Sequence, residues 1–169
     1  MKNPWLKYPV RFVVLLLLQV LVLNNINLGG YIHPIVYILF VLLLPVQMNK
    51  NLVLVVALLT GLSVDYFANT LGLHAGSTVL LAYLRPGVLN LFFKPIDFAQ
   101  SEEPNIKKIG LGGFFRYTLV LVLFHHLSLF VFETLDFSNF QITLMRVGLS
   151  TLVSTLGIML IMMLFSSRK

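Results

Sequence analysis

The ionisable side chains that could carry out chemistry are few, and most lie inside or beside long apolar runs. His125 and His126 are adjacent, whereas Asp65 and Arg85 stand alone in their runs. Adjacent positions on a helix point about 100° apart, so the two imidazoles cannot readily bind one metal ion. Metal-binding helices place their ligands four residues apart. We therefore expect neutral imidazoles that hydrogen-bond between helices, and the alternatives are a proton relay or a metal site.

The sequence contains no motif of a known catalytic centre. It has no G-x-S-x-G, P-loop or H-E-x-x-H motif, and no two carboxylates are predicted at one depth. It has no cysteine, which excludes disulfides, thiolate catalysis and cysteine-based metal sites. Runs such as residues 13–18 and 36–44 offer few groups to line an aqueous pathway, which disfavours a pump or a channel. We expect no enzymatic activity and no cofactor.

The composition predicts that lipid, not water, surrounds these residues. Of 169 residues, 58% are hydrophobic and only 11% are charged, whereas soluble domains average about 45–50% and about 25%. The net charge of +6 is typical of cytoplasmic loops of membrane proteins, so we do not expect nucleic-acid binding. The basic and apolar N-terminus resembles a signal peptide but lacks a cleavage site, which predicts a retained first helix.

Six apolar runs are long enough, or nearly so, to cross a bilayer as helices. The predicted spans are residues 10–28, 32–47, 52–68, 73–93, 114–132 and 143–165, in one all-α domain over residues 1–169. Pro34 suits the first turn of the second span. For the fourth span, a helix that ends near Leu84 with a kink at Pro86 is equally plausible. The long break at residues 94–113 is apolar enough at its start to lie among lipid headgroups.

The positions of Lys and Arg predict that both termini are cytoplasmic. Ten of the twelve basic residues then lie inside: Lys2, Lys7, Arg11, Lys50, Lys94, Lys107, Lys108, Arg116, Arg168 and Lys169. This bias is the positive-inside pattern of a multi-pass protein in a bacterial inner membrane. Outside, Glu133, Asp136 and Arg146 are predicted to form an interfacial ion pair.

Two isolated charges are open to more than one interpretation. Asp65 either ends the third span as a carboxylate that faces water or is a buried partner for a neighbouring helix, and its position favours neither. For Arg85 we expect snorkelling towards the cytoplasmic face. We do not expect the two to pair, because a simple hairpin places Arg85 much deeper than Asp65.

Small residues recur at four-residue spacing, which favours close helix packing or a docking face for a partner helix. They are Ala57 and Gly61, then Ala68, Gly72 and Gly76, then Ser150 and Ser154.

One stretch resembles a known family. Gly61-Leu-x-x-Asp65, five residues and then Leu-Gly72-Leu-His74, ahead of Arg85-Pro86, is similar to the MreD family of bacterial rod-shape-determining proteins. Pro34, the chain length and the predicted six spans match as well, and the rest agrees mainly in hydropathy. His126 with its neighbour His125, and Glu133, look like the version in Bacteroidetes-type members.

The resemblance implies a non-enzymatic subunit of the cell-elongation machinery, which regulates cell shape and peptidoglycan synthesis. Its implied partners are an MreC-type bitopic protein and, through it, the MreB filament, a RodA-type glycan polymerase and its penicillin-binding partner. The implied fold is similar to the substrate-binding subunits of vitamin importers. Gly61, Asp65 and Gly72 would shape helices 3 and 4 and their partner face.

A second hypothesis is a membrane protein that binds a vitamin or a lipid-like ligand near Asp65 and His74. A third, an intramembrane enzyme, requires two reacting groups within hydrogen-bond reach.

Overall fold

The fold is taken from a computed structural model that describes residues 4–26, 29–94, 98–134 and 140–167. These residues form six α-helices and no β-strand, which confirms the predicted all-α class. The helices are α1 (Pro4–Leu17), α2 (Leu39–Leu42), α3 (Lys50–Ala68), α4 (Leu73–Phe92), α5 (Ile106–Thr134) and α6 (Phe140–Ser167). A π-helical turn (Leu18–Val22) and a 3-10 turn (Leu23–Asn25) extend α1.

Four helical stretches are long and apolar enough to cross a membrane, which indicates a membrane protein. They are Leu6–Asn25, Lys50–Ala68, Ile106–Thr134 and Phe140–Phe165, with mean hydropathies of 2.0, 1.8, 1.6 and 2.1. A bilayer crossing needs about 20 residues. α4 has 20 residues but is less apolar than these four.

The second predicted span is not a helix. In residues 31–48, here called the irregular segment, only the four residues of α2 are α-helical, and Pro34 lies in the non-helical part. A residue before proline avoids the helical region, and the Ile35-Val-Tyr-Ile38 run that follows is β-branched and aromatic. The prediction of a helix over residues 32–47 is therefore wrong, although Ile35 to Leu44 are all buried.

Helices α3 and α4 form a tight hairpin. Asn69, just after α3, has φ 55°, and Gly72, just before α4, has φ 83°. Both residues are therefore in the left-handed conformation, which Asn and Gly tolerate. A Cβ atom on Gly61 would lie 2.4 Å from Cα of Ala75. The two backbones therefore touch at Gly61, as the small-residue spacing predicts.

The loop between α4 and α5 is fastened to α1 by ion pairs. Oε1 of Glu103 lies 2.7 Å from Nζ of Lys7, and Oε2 accepts from Nη2 of Arg11 at 3.0 Å. α4 continues through Pro86 to Phe92, so the longer of the two predictions for this span is correct. Some residues that belong to the predicted orientation, first span and ion pair lie outside the described ranges: Lys2, Leu28, Asp136, Arg168 and Lys169.

Candidate functional site

Polar side chains of the surrounding helices bind the backbone of the irregular segment. An unpaired backbone group in hydrocarbon costs several kcal/mol, so non-helical backbone at membrane depth must find partners within the protein. Among the described residues, six side chains that supply such partners are here called the polar framework: Gln19 after α1, Arg85 of α4, Tyr117 and His126 of α5, and Ser150 and Ser154 of α6.

At the start of the irregular segment, Gln19 replaces the hydrogen bonds that a helix would supply. Its Oε1 accepts from the amide of Val36 at 2.8 Å, and its Nε2 donates to the carbonyl oxygen of Pro34 at 3.0 Å. Gln19 lies in the π-helical turn and is buried. Such π-helical turns change the direction of single side chains relative to a regular helix and are frequent at functional sites. Gln19 is thereby held against the first residues of the segment.

The serines of α6 accept from the same stretch of backbone. Oγ of Ser150 accepts from the amide of His33 at 3.0 Å, and Oγ of Ser154 accepts from the amide of Ile35 at 2.8 Å. Nε2 of His126 lies 3.3 Å from the carbonyl oxygen of His33. The predicted small-residue pair on α6 is therefore also a pair of hydrogen-bond acceptors.

Arg85 and Tyr117 bind the other end of the irregular segment. Arg85 donates from Nη2 to the carbonyl oxygen of Leu44 and from Nε to Oη of Tyr117 at 3.0 Å, and Tyr117 donates to the carbonyl oxygen of Leu42 at 2.9 Å. Only 2% of Arg85 is exposed. The expectation that Arg85 snorkels is therefore wrong, because its charge faces the unpaired carbonyls at the end of α2.

A chain of hydrogen bonds crosses the middle of the bundle. The hydroxyl of Thr78 donates to the carbonyl oxygen of His74 at 2.6 Å, so its oxygen can accept from the Tyr37 hydroxyl at 2.8 Å. Oη of Tyr37 can then accept from Nε2 of His125 at 3.0 Å. Nδ1 of His74 lies 3.3 Å from the same oxygen. This chain joins α4, α5 and the irregular segment, as expected for interhelical imidazoles.

Asp65 caps the N-terminus of α4. Its two carboxylate oxygens accept from the amides of His74 at 3.0 Å and Ala75 at 2.9 Å, and Oδ1 also accepts from the Thr70 hydroxyl. A carboxylate at a helix N-terminus satisfies orphan amides and suits the positive end of the helix dipole. Asp65 is 4% exposed. Of its two interpretations, the structure therefore selects the buried partner of a neighbouring helix.

The predicted site residues fall into two groups. Gly61, Asp65, Gly72 and the backbone of His74 build the α3–α4 hairpin, whereas Arg85, His126 and Pro34 belong to the irregular segment and its framework. Arg85 and Asp65 have separate partners, in keeping with the expectation that they do not pair.

Sequence reasoning missed Gln19, Tyr37 and Tyr117 as internal hydrogen-bonding residues. The available signal was a polar group inside an apolar run, which in lipid points to an interhelical partner. Apart from Asn24, which accepts from Gln19, the partners of these residues lie at least 15 residues away, a separation that no local pattern reveals.

The arrangement holds no metal cluster within the described ranges, where no three His, Asp or Glu side chains converge. The rings of His125 and His126 lie 5.7 Å apart at 79° to each other, and they serve different partners. Where α5 ends and α6 begins, Arg146 pairs with Glu133 at 3.1 Å. The contacts that the structure gives the two histidines are hydrogen bonds and ring contacts.

A cavity of 590 Å³ opens at the end of the bundle where α3 and α4 meet. Its wall includes Gln19, His33, Thr70, His74 and Glu133. It offers room for a small polar ligand.

Comparisons with protein-family models, with curated proteins and with solved structures found no match for this chain.

Proposed function

We propose that the protein is a non-enzymatic membrane scaffold of the MreD type. In this role it binds the transmembrane helix of an MreC-type bitopic protein. Through that protein it acts on a RodA-type polymerase with its penicillin-binding partner, and indirectly on the MreB filament. Its function is then to localise or regulate peptidoglycan synthesis during cell elongation.

The observation that carries this proposal is the α3–α4 hairpin. The residues of the family-like motif, Gly61, Asp65 and Gly72, act together as its contact point, its cap and its turn. A motif whose members serve one rigid element is what a scaffold needs, because a preorganised face binds a partner helix at lower entropic cost.

The use of the buried polar groups also favours a scaffold over an enzyme. Arg85, Tyr117 and His126 form hydrogen bonds with the backbone of the irregular segment. Asp65 forms its own with the backbone of α4. An intramembrane enzyme needs reacting groups directed at a substrate.

The topology that suits this role has six crossings, with both termini in the cytoplasm. The irregular segment supplies the second crossing: His33 bonds to Ser150 near the start of α6, and Val46 bonds to Glu102 at the loop that holds Lys7 and Arg11. Lys50 and Lys108 share that loop's end of the bundle, which the positive-inside rule assigns to the cytoplasm.

The partner face is proposed to lie on the outer surface of the hairpin. Tyr66 of α3 and Tyr83 of α4 are 82% and 70% exposed. In lipid, a partner helix gains affinity from packing on such rigid aromatic side chains.

Site-specific photo-cross-linking tests the partner face. A photoreactive residue at Tyr83 is expected to give an adduct with a co-expressed MreC-type protein. The matched control is Leu160 of α6, which is also exposed, at 62%, and is expected to give none. Adducts of equal yield at both positions, or at neither, would contradict the proposal. Co-purification of the two proteins in mild detergent is the companion measurement.

The 590 Å³ cavity favours one second candidate, a binder of small polar molecules or lipid headgroups. Its test is a thermal-shift screen with vitamins and undecaprenyl phosphate, since a ligand stabilises the folded state by mass action. Ile26→Trp, in the cavity wall, should abolish a true shift, and Leu160→Trp should preserve it. If no compound shifts the unfolding temperature, this candidate is rejected.

A further inference from the structure

A groove between α1 and α6 lies at the basic end of the bundle, opposite the cavity beside His74. Its volume is 440 Å³. Its walls are apolar and come from three parts of the chain: Val10 and Val14 of α1, Leu39 and Leu43 of the irregular segment, and Ile161 and Phe165 of α6. Because α1 and α6 are long enough to cross a membrane, this groove opens beside lipid acyl chains.

The mouth of the groove carries a net positive charge. Lys7, Arg11 and Lys107 line it together with one carboxylate, Glu103, so three cations face one anion. Glu103 is 6% exposed and pairs with both Lys7 and Arg11. It therefore fixes the two α1 cations in place without neutralising the cluster.

Two donors at this mouth are left without an acceptor. Nη1 of Arg11 is buried and makes no hydrogen bond to the described chain. Lys107 is exposed and forms no ion pair there. A buried donor that lacks a partner is costly, and an anion bound beside Arg11 would supply the missing acceptor.

The required occupant is anionic, has acceptor oxygens and carries an apolar tail. Phosphate suits a guanidinium because the planar donors match its oxygens, and a neighbouring ammonium adds charge. Basic pockets between membrane helices recognise anionic lipid headgroups in this way. We propose that the groove binds one anionic phospholipid, with its phosphate on Arg11 and Lys107 and an acyl chain between α1 and α6.

This proposal is independent of the scaffold function and of the orientation of the chain. It requires only that the basic end of the bundle lies at a headgroup layer, and phosphates line both faces of a bilayer. It predicts selectivity for net charge, since a zwitterionic lipid presents the same phosphate beside a cation that the cluster repels.

Native mass spectrometry of the full chain, released from vesicles of phosphatidylglycerol or phosphatidylcholine, tests the proposal. We expect one retained phosphatidylglycerol and about tenfold weaker retention of phosphatidylcholine. Free inorganic phosphate should neither bind detectably nor displace the lipid, because it lacks the tail. Equal retention of the two lipids, or displacement by free phosphate, would overturn the proposal.

Three variants separate a built site from diffuse attraction. Lys107→Gln removes a cation with no internal ion pair, so the fold should be unchanged while lipid retention falls about tenfold. Arg11→Lys keeps the charge but loses Nη1, and retention should also fall. Lys50→Gln removes a charge at the same end but outside the groove, and it should retain the lipid as the parent does. Equal losses in Lys50→Gln and Lys107→Gln would refute the site.

Discussion

Arg85 is a buried cation that donates a hydrogen bond to a backbone carbonyl group just after the end of α2. Its guanidinium reaches Leu44 and Tyr117, and Tyr117 reaches Leu42, so one residue from α4 and one from α5 complete the end of α2. A charge at the bilayer centre is expensive unless it has such partners. Arg85 is therefore a structural residue by its contacts.

Replacement of Arg85 by Leu should lower the free energy of unfolding by about 1–3 kcal/mol, because the Leu44 carbonyl would be left without its donor. Thermal unfolding in detergent measures the change. The control is Arg116→Gln on the exposed face of α5, with an expected effect within about 0.5 kcal/mol. Equal losses in the two variants would show that any cation on these helices matters as much.

Glu102 provides a prediction about pH. The Ala99 amide, and after it Lys108, holds the pKa of this exposed carboxyl below its usual value of 4.5. A pKa lowered by folding contributes stability that is fully present above the unfolded value and is lost as pH falls through the folded value. Glu102→Gln should therefore unfold at a slightly lower temperature than the parent at neutral pH, and the difference should vanish in acid. A difference that persists in acid would contradict this assignment.

At the scale of elements, the hairpin of α3 and α4 depends on the absence of one side chain. Gly61→Ala would place Cβ against the backbone of Ala75, at 2.4 Å from Cα and 2.7 Å from N. The helices would have to separate, which should cost about 1–3 kcal/mol in unfolding free energy.

Gly87 of α4 is the matched control, because a Cβ there meets nothing within 4 Å. Gly87→Ala should be neutral or stabilise by about 0.5–1 kcal/mol, since alanine favours the helix. Thermal unfolding of both variants gives the comparison, and destabilisation of similar size in each would refute the contact.

The secondary-structure elements also differ in how well the sequence predicts them. Apolar runs located α3, α4, α5 and α6, and the spacing of small residues indicated the close approach at Gly61. The sequence wrongly predicts a helix for the irregular segment, because an apolar run of its length has the same pattern in a buried helix and in buried extended backbone. The distinction depends on partners such as Ser154, which lies 119 residues from Ile35.

At the scale of the molecule, the proposed six crossings can be tested with single cysteines, because the native chain has none. A cysteine at Asn69 should react with a membrane-impermeant maleimide from the periplasmic side. One at Lys50 should react only after the membrane is opened. Labelling of both from the same side would refute the six crossings.

The sequence identifies some residues of the candidate site because ionisable side chains are unusual in lipid. It predicts the roles of these residues less well. Asp65 and His126 were singled out, but the sequence could not choose between solvent and a neighbouring helix for Asp65. Burial decides that question, and burial depends on the packing of segments that are distant in the chain.

The distances between the irregular segment and its partners have a consequence for biosynthesis. The carbonyl group of Leu44 binds a side chain that lies 41 residues downstream, and the amide of Ile35 binds one that lies 119 residues downstream. The ribosome makes those partners after residues 31–48, so we expect this segment to reach its final conformation only after α4 and α6 have been made. A nascent chain halted before Ser150 would lack the two hydroxyl acceptors of α6 that bind the amides of His33 and Ile35.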